Sequence, residues 1–159
     1  MQIDENIKVH QLMAKKVIVG KPDNTFSEAL ELFSEYNLHH LPIVDEGDKL
    51  LGIVSSNDLS KKFRETAMQK DVFTKDALNA QVNLSDIMTK EVVTMKPDDL
   101  VKDMVKILDE KRFSSILVVN DDNTIAGIVT NKDVVHFLNL FYNKYNEPRG
   151  TGGGVFGGQ

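Results

Sequence analysis

Two heptapeptides decide the fold: Gly52–Asp58, with the sequence GIVSSND, and Gly127–Asp133, with the sequence GIVTNKD. Each begins with a glycine and two β-branched residues, which favour a strand. Each continues with a hydroxyl residue and, three residues later, an aspartate, which is typical of the first turn of a helix. The same strand-to-helix junction is therefore predicted twice in one chain.

The similarity extends outward from these junctions. Shifting the chain by 75 residues places residues 9–63 on residues 84–138 without a gap, and twelve of the 55 aligned pairs are identical. Units this small rarely bury enough apolar surface to fold alone. We therefore expect two copies that share one core, related by pseudo-twofold symmetry, with a cleft along the axis. The identical pairs include Met13/Met88, Pro22/Pro97 and Gly52/Gly127.

Each copy has the pattern of a strand, a helix, two strands and a second helix. In the first copy, a strand at residues 17–20 ends at Lys-Pro-Asp, because proline lacks the backbone donor that a strand needs. Apolar residues at helical spacing follow from Phe26 to Phe33, and strands come at residues 41–44 and 50–54. The predicted fold class is α/β, more strictly α+β, with the order β-α-β-β-α repeated. The second copy has equivalent segments at residues 92–95, 101–108, 116–119 and 125–129.

Composition excludes several classes of function. The chain has a net charge of −5 and no run of lysine or arginine, so it lacks the positive field that nucleic-acid binding needs. It has no cysteine, which excludes disulfides and thiolate chemistry. Apolar runs are short, and the N-terminal sequence MQIDENIKV lacks the order of a signal peptide. We expect a soluble, cytoplasmic protein with no membrane span and no nucleic-acid partner.

The end of the chain differs in kind from the repeats. The last helix carries a broad apolar face, and its residues Phe137, Phe141 and Tyr145 fit either a core position or a dimer contact. Six of the ten glycines then fall in the last ten residues. Because glycine loses the most backbone entropy on ordering, this segment is predicted to be disordered.

The duplicated unit resembles a known family. The phrases LMAKKVIVGKPD and IMTKEVVTMKPD, together with LHHLPIVD and the two heptapeptides, look like a tandem pair of CBS domains, also called a Bateman module. The resemblance covers residues 9–140. It divides the chain into CBS domain 1 at residues 7–68, a linker at 69–83, CBS domain 2 at 84–143 and a glycine-rich disordered tail at 144–159.

The resemblance implies a regulatory function and no catalysis. Such pairs commonly bind adenine nucleotides or other adenosyl ligands between the repeats, and they commonly form homodimers. The ligands implied are AMP, ADP or ATP, with S-adenosylmethionine or a cyclic dinucleotide as alternatives, and no cofactor is required. The regulated protein would be an unidentified partner chain, or a domain outside this sequence. The alternative is a homodimerisation and interaction module that binds no nucleotide.

The heptapeptides also supply candidate binding residues. A helix N-terminus offers unpaired N–H groups that suit phosphate, and the hydroxyls of Ser55 and Thr130 can donate to a phosphate or ribose oxygen. The resemblance makes Asp58 and Asp133 the ribose ligands, since a carboxylate accepts well from two adjacent hydroxyls. The same residues also fit the role of helix caps, and the two roles are compatible.

Three further residues are candidates for the phosphate side of the clefts. In the family, the position of His39 and His40 often carries basic residues that face phosphates, whereas the second copy has serines there, so the two clefts are expected to be unequal. Lys132 is long enough to reach a phosphate from the second junction. Surface placement is the alternative for all three. Because adjacent strand residues point to opposite faces, the histidines predict no shared metal ion, and no other spacing predicts a metal or catalytic site.

Overall fold

The computed structural model describes residues 4–69 and 74–146, and its elements follow the predicted order. The first repeat contains helix α1 (Phe26–Glu35), strands β1 (His40–Val44) and β2 (Leu50–Ser55), and helix α2 (Ser56–Gln69). Two helices connect the repeats, α3 (Lys75–Gln81) and α4 (Leu84–Ile87). The second repeat contains β3 (Thr94–Met95), α5 (Val101–Lys111), β4 (Ser115–Val119), β5 (Ile125–Thr130) and α6 (Asn131–Asn146). The α+β fold class is confirmed.

Each repeat contains a small sheet built on an antiparallel hairpin. Strand β1 pairs with β2 and β4 pairs with β5, with the same register shift at the last pair of each hairpin. In the second repeat, β3 adds a parallel strand of two residues beside β4. In the first repeat, Gly20 alone makes the equivalent parallel bridge, to Ile43. The predicted strands at residues 17–20 and 92–95 are therefore shorter than expected.

The two repeats exchange their N-terminal segments. A short 3-10 helix, Val9–Gln11, precedes the first repeat, but Val9 is buried in the core of the second. Further along, the backbones of Ala14 and Ile128 exchange hydrogen bonds of 2.9 and 3.0 Å. Ala14 thus pairs with the second repeat, whereas Gly20, with only five residues in between, pairs with Ile43 of the first, so this segment crosses between the sheets. This crossing explains why the first strand is short.

The reverse exchange has the same geometry. Helix α4 precedes the second repeat, and its Leu84 is fully buried in the core of the first. The backbones of Thr89 and Ile53 exchange hydrogen bonds of 2.9 and 3.0 Å. The apolar interior consists of two clusters, and each is completed by residues from the other repeat. The expectation of one shared core is thus replaced by two cores that exchange segments.

The segment between the repeats is more ordered than expected. The sequence predicted the end of a helix followed by a loop, but α3 forms at residues 75–81, with the Thr74 hydroxyl accepting from the Ala77 N–H at 3.2 Å. Leu78 and Val82 are buried in the core of the first repeat. The helix was missed because Leu78 is flanked by polar and small residues and gives no clear apolar periodicity.

The last helix is longer and less buried than its sequence suggests. Helix α6 extends to Asn146, three residues into the predicted tail, and residues 147–159 lie outside the described part. Phe137 and Phe141 are half-buried and belong to neither core cluster, so the core alternative is wrong for them. The side chain of Tyr145 lies outside the described residues. No helix in the described ranges combines the length and apolar content that crossing a bilayer requires.

The exchange of segments requires glycine at two equivalent positions. A Cβ atom on Gly52 would stand 2.7 Å from the Thr89 carbonyl oxygen and 2.8 Å from the Met88 sulfur. On Gly127 it would stand 2.7 Å from the Ala14 carbonyl oxygen. These oxygens accept the hydrogen bonds that join the exchanged segments, so they cannot move aside without breaking them.

We therefore expect Gly52→Ala and Gly127→Ala each to lower the free energy of unfolding by about 1–3 kcal/mol, the usual cost of an added carbon in a closely packed site. Urea unfolding followed by circular dichroism measures the change. Gly47→Ala is the matched control, because its Cβ would meet only Asp45 Oδ1, at 3.4 Å. Equal stability of all three variants would show that the exchanged segments do not approach as described.

Candidate functional site

Each strand-to-helix junction forms a closed capping box. The Ser55 N–H and hydroxyl both donate to Asp58 Oδ2, at 2.8 and 2.7 Å, and the Asp58 N–H donates back to Ser55 Oγ at 3.1 Å. Thr130 and Asp133 repeat the arrangement, with distances of 2.7, 2.7 and 3.4 Å. The pairs satisfy donors that a helix start leaves unpaired.

The capping role uses only one oxygen of each carboxylate. Within the described residues, nothing donates to Oδ1 of Asp58 or of Asp133 at hydrogen-bonding distance. Both side chains are half-buried. Each junction therefore holds its aspartate in a fixed orientation and leaves one acceptor oxygen for a ligand.

A cavity of about 370 Å³ lies against the Asp58 junction, between the two repeats. This volume is within the range of small-molecule sites. Both repeats contribute to its lining, so the cavity exists only when they are assembled. The first repeat contributes His40, Ile53, Ser55 and Asp58, and the second contributes Thr89, Glu91, Val92, Val93, Arg112, Phe113, Ser114, Ser115 and Leu117.

The lining combines an apolar wall with a polar end. Ile53, Val92 and Val93 supply aliphatic surface beside the carboxylate of Asp58. A flat heteroaromatic base favours an apolar slot, and two adjacent sugar hydroxyls favour a carboxylate acceptor. The arrangement suits a nucleoside with its base on the wall and its ribose at Asp58.

The two candidate histidines are placed differently. His40 is half-buried and lines the cavity, whereas the exposed His39 does not line it. Burial lowers the pKa of the His40 imidazole, the neighbouring His39 lowers that pKa further, and the Asp58 carboxylate opposes both. His40 is therefore uncharged near neutral pH and acts as a neutral hydrogen-bonding group.

The second junction is surrounded by different side chains. The bridge between Ala14 and Ile128 has the same register as the bridge between Thr89 and Ile53. Lys16 therefore takes the place that Glu91 has in the Asp58 cavity. By the same 75-residue shift, His39 and His40 correspond to Ser114 and Ser115, which both line the Asp58 cavity, so both histidines are expected beside the Asp133 junction as well.

The candidate residues thus fall into two groups. Ser55, Asp58 and His40 come together in the described cavity. Thr130 and Asp133 form the other junction, and the exposed Lys132 lies beside them in the first turn of α6. No group of three metal-binding side chains occurs among the residues that the structure describes.

Sequence reasoning missed Arg112 and Glu91. Arg112 ends α5 in the left-handed conformation, with φ of 54°, and its counterpart Asn37 has φ of 50°. Asparagine adopts this conformation readily and arginine rarely does. The available signal was an arginine aligned with a turn-forming asparagine. The left-handed conformation costs Arg112 free energy, so we infer that its side chain makes an interaction that compensates for this cost.

The fold and the cavity together define a class, the module of two duplicated β-α-β-β-α units with a cleft between them. The model of the CBS domain matches residues 9–65 and 84–140. The chain belongs to the CBS domain family, as a pair of CBS domains.

Relatives and solved structures agree with this assignment. Inosine-5′-monophosphate dehydrogenase of Methanocaldococcus jannaschii is 30% identical over 142 residues, which are 85% of this chain and 26% of that enzyme. The chain thus spans about a quarter of that relative's length. The CBS domain pair of protein MJ0100, solved with 5-methylthioadenosine and S-adenosyl-L-methionine, is 29% identical, with a TM-score of 0.68 over 83% of this chain and 99% of that one. CBSX2, solved with AMP, is 26% identical, with a TM-score of 0.72 over 85% and 98%.

The lowered pKa of His40 predicts a pH dependence of stability. Its pKa is lower in the folded than in the unfolded state, so protonation favours unfolding and stability decreases as the pH falls below about 6.5. We expect His40→Gln to lose less stability than the wild type between about pH 7.5 and pH 5. Urea unfolding at the two pH values measures this difference. The control is His136→Gln, at an exposed position of α6, and identical pH dependence in both variants would contradict the prediction.

Proposed function

We propose that this chain is a regulatory module that binds an adenine nucleotide or a related adenosyl ligand between its two CBS domains and transmits occupancy to a partner chain. The observation that carries the proposal is the inter-repeat cavity, which Ser55 and Asp58 of the first repeat line together with Val92 and Val93 of the second. The MJ0100 pair was solved with two adenosyl compounds and CBSX2 with AMP, which supports the same ligand class here.

Binding would use each part of the cavity differently. The base rests on Ile53, Val92 and Val93, and the ribose hydroxyls donate to Asp58 Oδ1, the oxygen that the capping box leaves available. Arg112 and the serines at the start of β4 line the same cavity and are available to the substituent on the ribose 5′ carbon. The Arg112 guanidinium can pair with a planar anionic group of that substituent, such as a carboxylate.

The exchanged segments connect the ligand cavity to the cores of both repeats. Val92 and Val93 lie four and five residues after Met88, which packs against the core of the first repeat. A ligand on this wall contacts both repeats at once. If the repeats can adopt two relative placements, the ligand favours the one that it binds more tightly. The equilibrium between the placements changes by the difference in binding free energy. A partner chain that contacts both repeats can read that shift.

The first test is a thermal-unfolding screen with AMP, ADP, ATP, S-adenosylmethionine and a cyclic dinucleotide. A ligand at about 100 times its Kd adds about 2.7 kcal/mol, which raises the Tm of a chain this size by about 5–10 °C. We expect such a rise with at least one of them, and its loss in the double variant Asp58→Asn/Asp133→Asn. Asparagine keeps an acceptor for the capping box, so the variant tests ligand binding rather than folding. No rise with any ligand would favour the interaction module instead.

The proposal includes a homodimer formed through the helices. An apolar groove of about 620 Å³ lies between α1 and α2, and one of about 480 Å³ lies between α5 and α6. The two grooves occupy equivalent positions in the two repeats. Because they are alike, a second copy related by a twofold axis covers both with one kind of contact. Leu30 and Val105, at equivalent positions of the two grooves, are 42% and 40% exposed.

The dimer is tested with Val135→Glu, a substitution in the groove beside α6. Val135 is 64% exposed in the single chain, so we expect the charge to prevent dimerisation while the protein stays folded by circular dichroism. Light scattering after size-exclusion chromatography gives the mass. The control is Asn143→Glu, at an exposed position of the same helix about two turns further along and turned away from the groove, and it should remain dimeric. A wild-type protein that is monomeric at all concentrations contradicts the dimer.

A further inference from the structure

The two clefts differ in charge. In the Asp58 cleft, Asp58 and Glu91 are negative, Arg112 is positive and His40 is uncharged near neutral pH. Glu91 forms no ion pair within the described residues, so its charge is not compensated locally. This cleft therefore carries a net charge of about −1, which opposes a chain of phosphates.

The equivalent positions at the Asp133 junction carry a net positive charge. The matching backbone bridges place Lys16 where the other cleft has Glu91. Lys132 lies at the helix start, where the first repeat has Asn57, and it is exposed and near Asp133 in sequence. Lys16 balances Asp133, uncharged Asn37 stands where the other cleft has Arg112, and Lys132 adds one positive charge at the helix start, which gives about +1 around this junction. His39, which the 75-residue shift places on the same side, adds a further hydrogen-bonding group.

The two clefts are alike at the ribose site and differ on the wall beside it. The residues that hold the ribose are the same in both clefts, an aspartate paired with a hydroxyl residue. The residues that differ, Glu91 and Lys16, stand at one place on the wall and have opposite charges. Because the ribose site is the same and the charge differs, the two clefts distinguish ligands by the charge of the group attached to the ribose.

We propose that the two clefts sort adenosyl ligands by charge. The Asp58 cleft takes an adenosyl compound without a phosphate chain, such as a thionucleoside or a sulfonium, and the Asp133 cleft takes a phosphorylated adenine nucleotide. This inference rests on the proposed function, because it assigns a ligand class to each of its clefts. The module then responds to two ligands at once.

The experiment isolates one cleft at a time. Asp133→Asn leaves the Asp58 cleft, and Asp58→Asn leaves the Asp133 cleft. Calorimetric titration of each variant with 5-methylthioadenosine, S-adenosylmethionine, AMP and ATP gives the Kd values. We expect the Asp58 cleft to bind S-adenosylmethionine at least tenfold more tightly than ATP, and the Asp133 cleft to show the reverse order.

Charge reversal then tests the cause. In the Asp133→Asn background, Glu91→Lys should tighten ATP binding about tenfold and weaken S-adenosylmethionine binding, with the effect reduced at high salt. The control is Glu31→Lys, which makes the same change in net charge at an exposed position of α1, outside both clefts, and should change neither Kd. Circular dichroism confirms that each variant is folded.

The outcomes separate the two proposals. If none of the four ligands binds either single-cleft variant or the wild type, the proposed function fails, and the sorting fails with it. If ligands bind but the two clefts prefer them in the same order, the sorting is wrong and the proposed function stands. The same conclusion follows if Glu91→Lys behaves like Glu31→Lys.

Discussion

The structure depends on two close backbone contacts between the repeats. At each one, a glycine in the second strand of a hairpin lets a carbonyl of the other repeat approach to a distance that no Cβ atom would allow. The approach at Gly52 makes the hydrogen bonds between Ile53 and Thr89, and the approach at Gly127 makes those between Ile128 and Ala14. These bonds direct each N-terminal segment into the neighbouring core, where its apolar residues are buried. Neither repeat completes its own interior, so the two halves form one structural unit, and both of them line the cleft between them.

Much of the local structure could be predicted because it depends on short patterns that occur twice. Hairpin strands, the helix starts after Ser55 and Thr130, and the break at Lys-Pro-Asp all follow from residues adjacent in sequence. The exchange could not be predicted in this way. Nothing in the segment that contains Ala14 distinguishes pairing with its own sheet from pairing with the other, since both sheets offer similar apolar surfaces. The helix at residues 75–81 escaped notice because its apolar residues are few and its burial comes from tertiary contacts.

The candidate site was likewise predictable only where its residues are adjacent in sequence. Asp58 and Ser55 were predicted because the junction that holds them is continuous in sequence. Glu91 and Arg112 were not, because each reaches the Asp58 cleft only through the packing of one repeat on the other. Arg112 follows a helix and Glu91 follows the exchanged segment, and neither lies in a pattern with a recognised chemistry. His39 and His40 illustrate the intermediate case. Their position at the start of a strand was evident, but the place of His40 in the lining of the Asp58 cavity depends on how the second repeat packs on the first.

Joining the two repeats in one chain has a genetic consequence. In a symmetric pair of separate single repeats, one codon would specify a residue in both clefts, and any substitution would alter the two together. Here each position has two codons. Those for Gly52 and Gly127 still encode the same residue, since both contacts need it, whereas those for Lys16 and Glu91 encode opposite charges. After duplication, the residues that the fold needs in both repeats stay the same, whereas the residues that line each cleft can change independently. A fused pair can diversify its ligands while its framework stays symmetric.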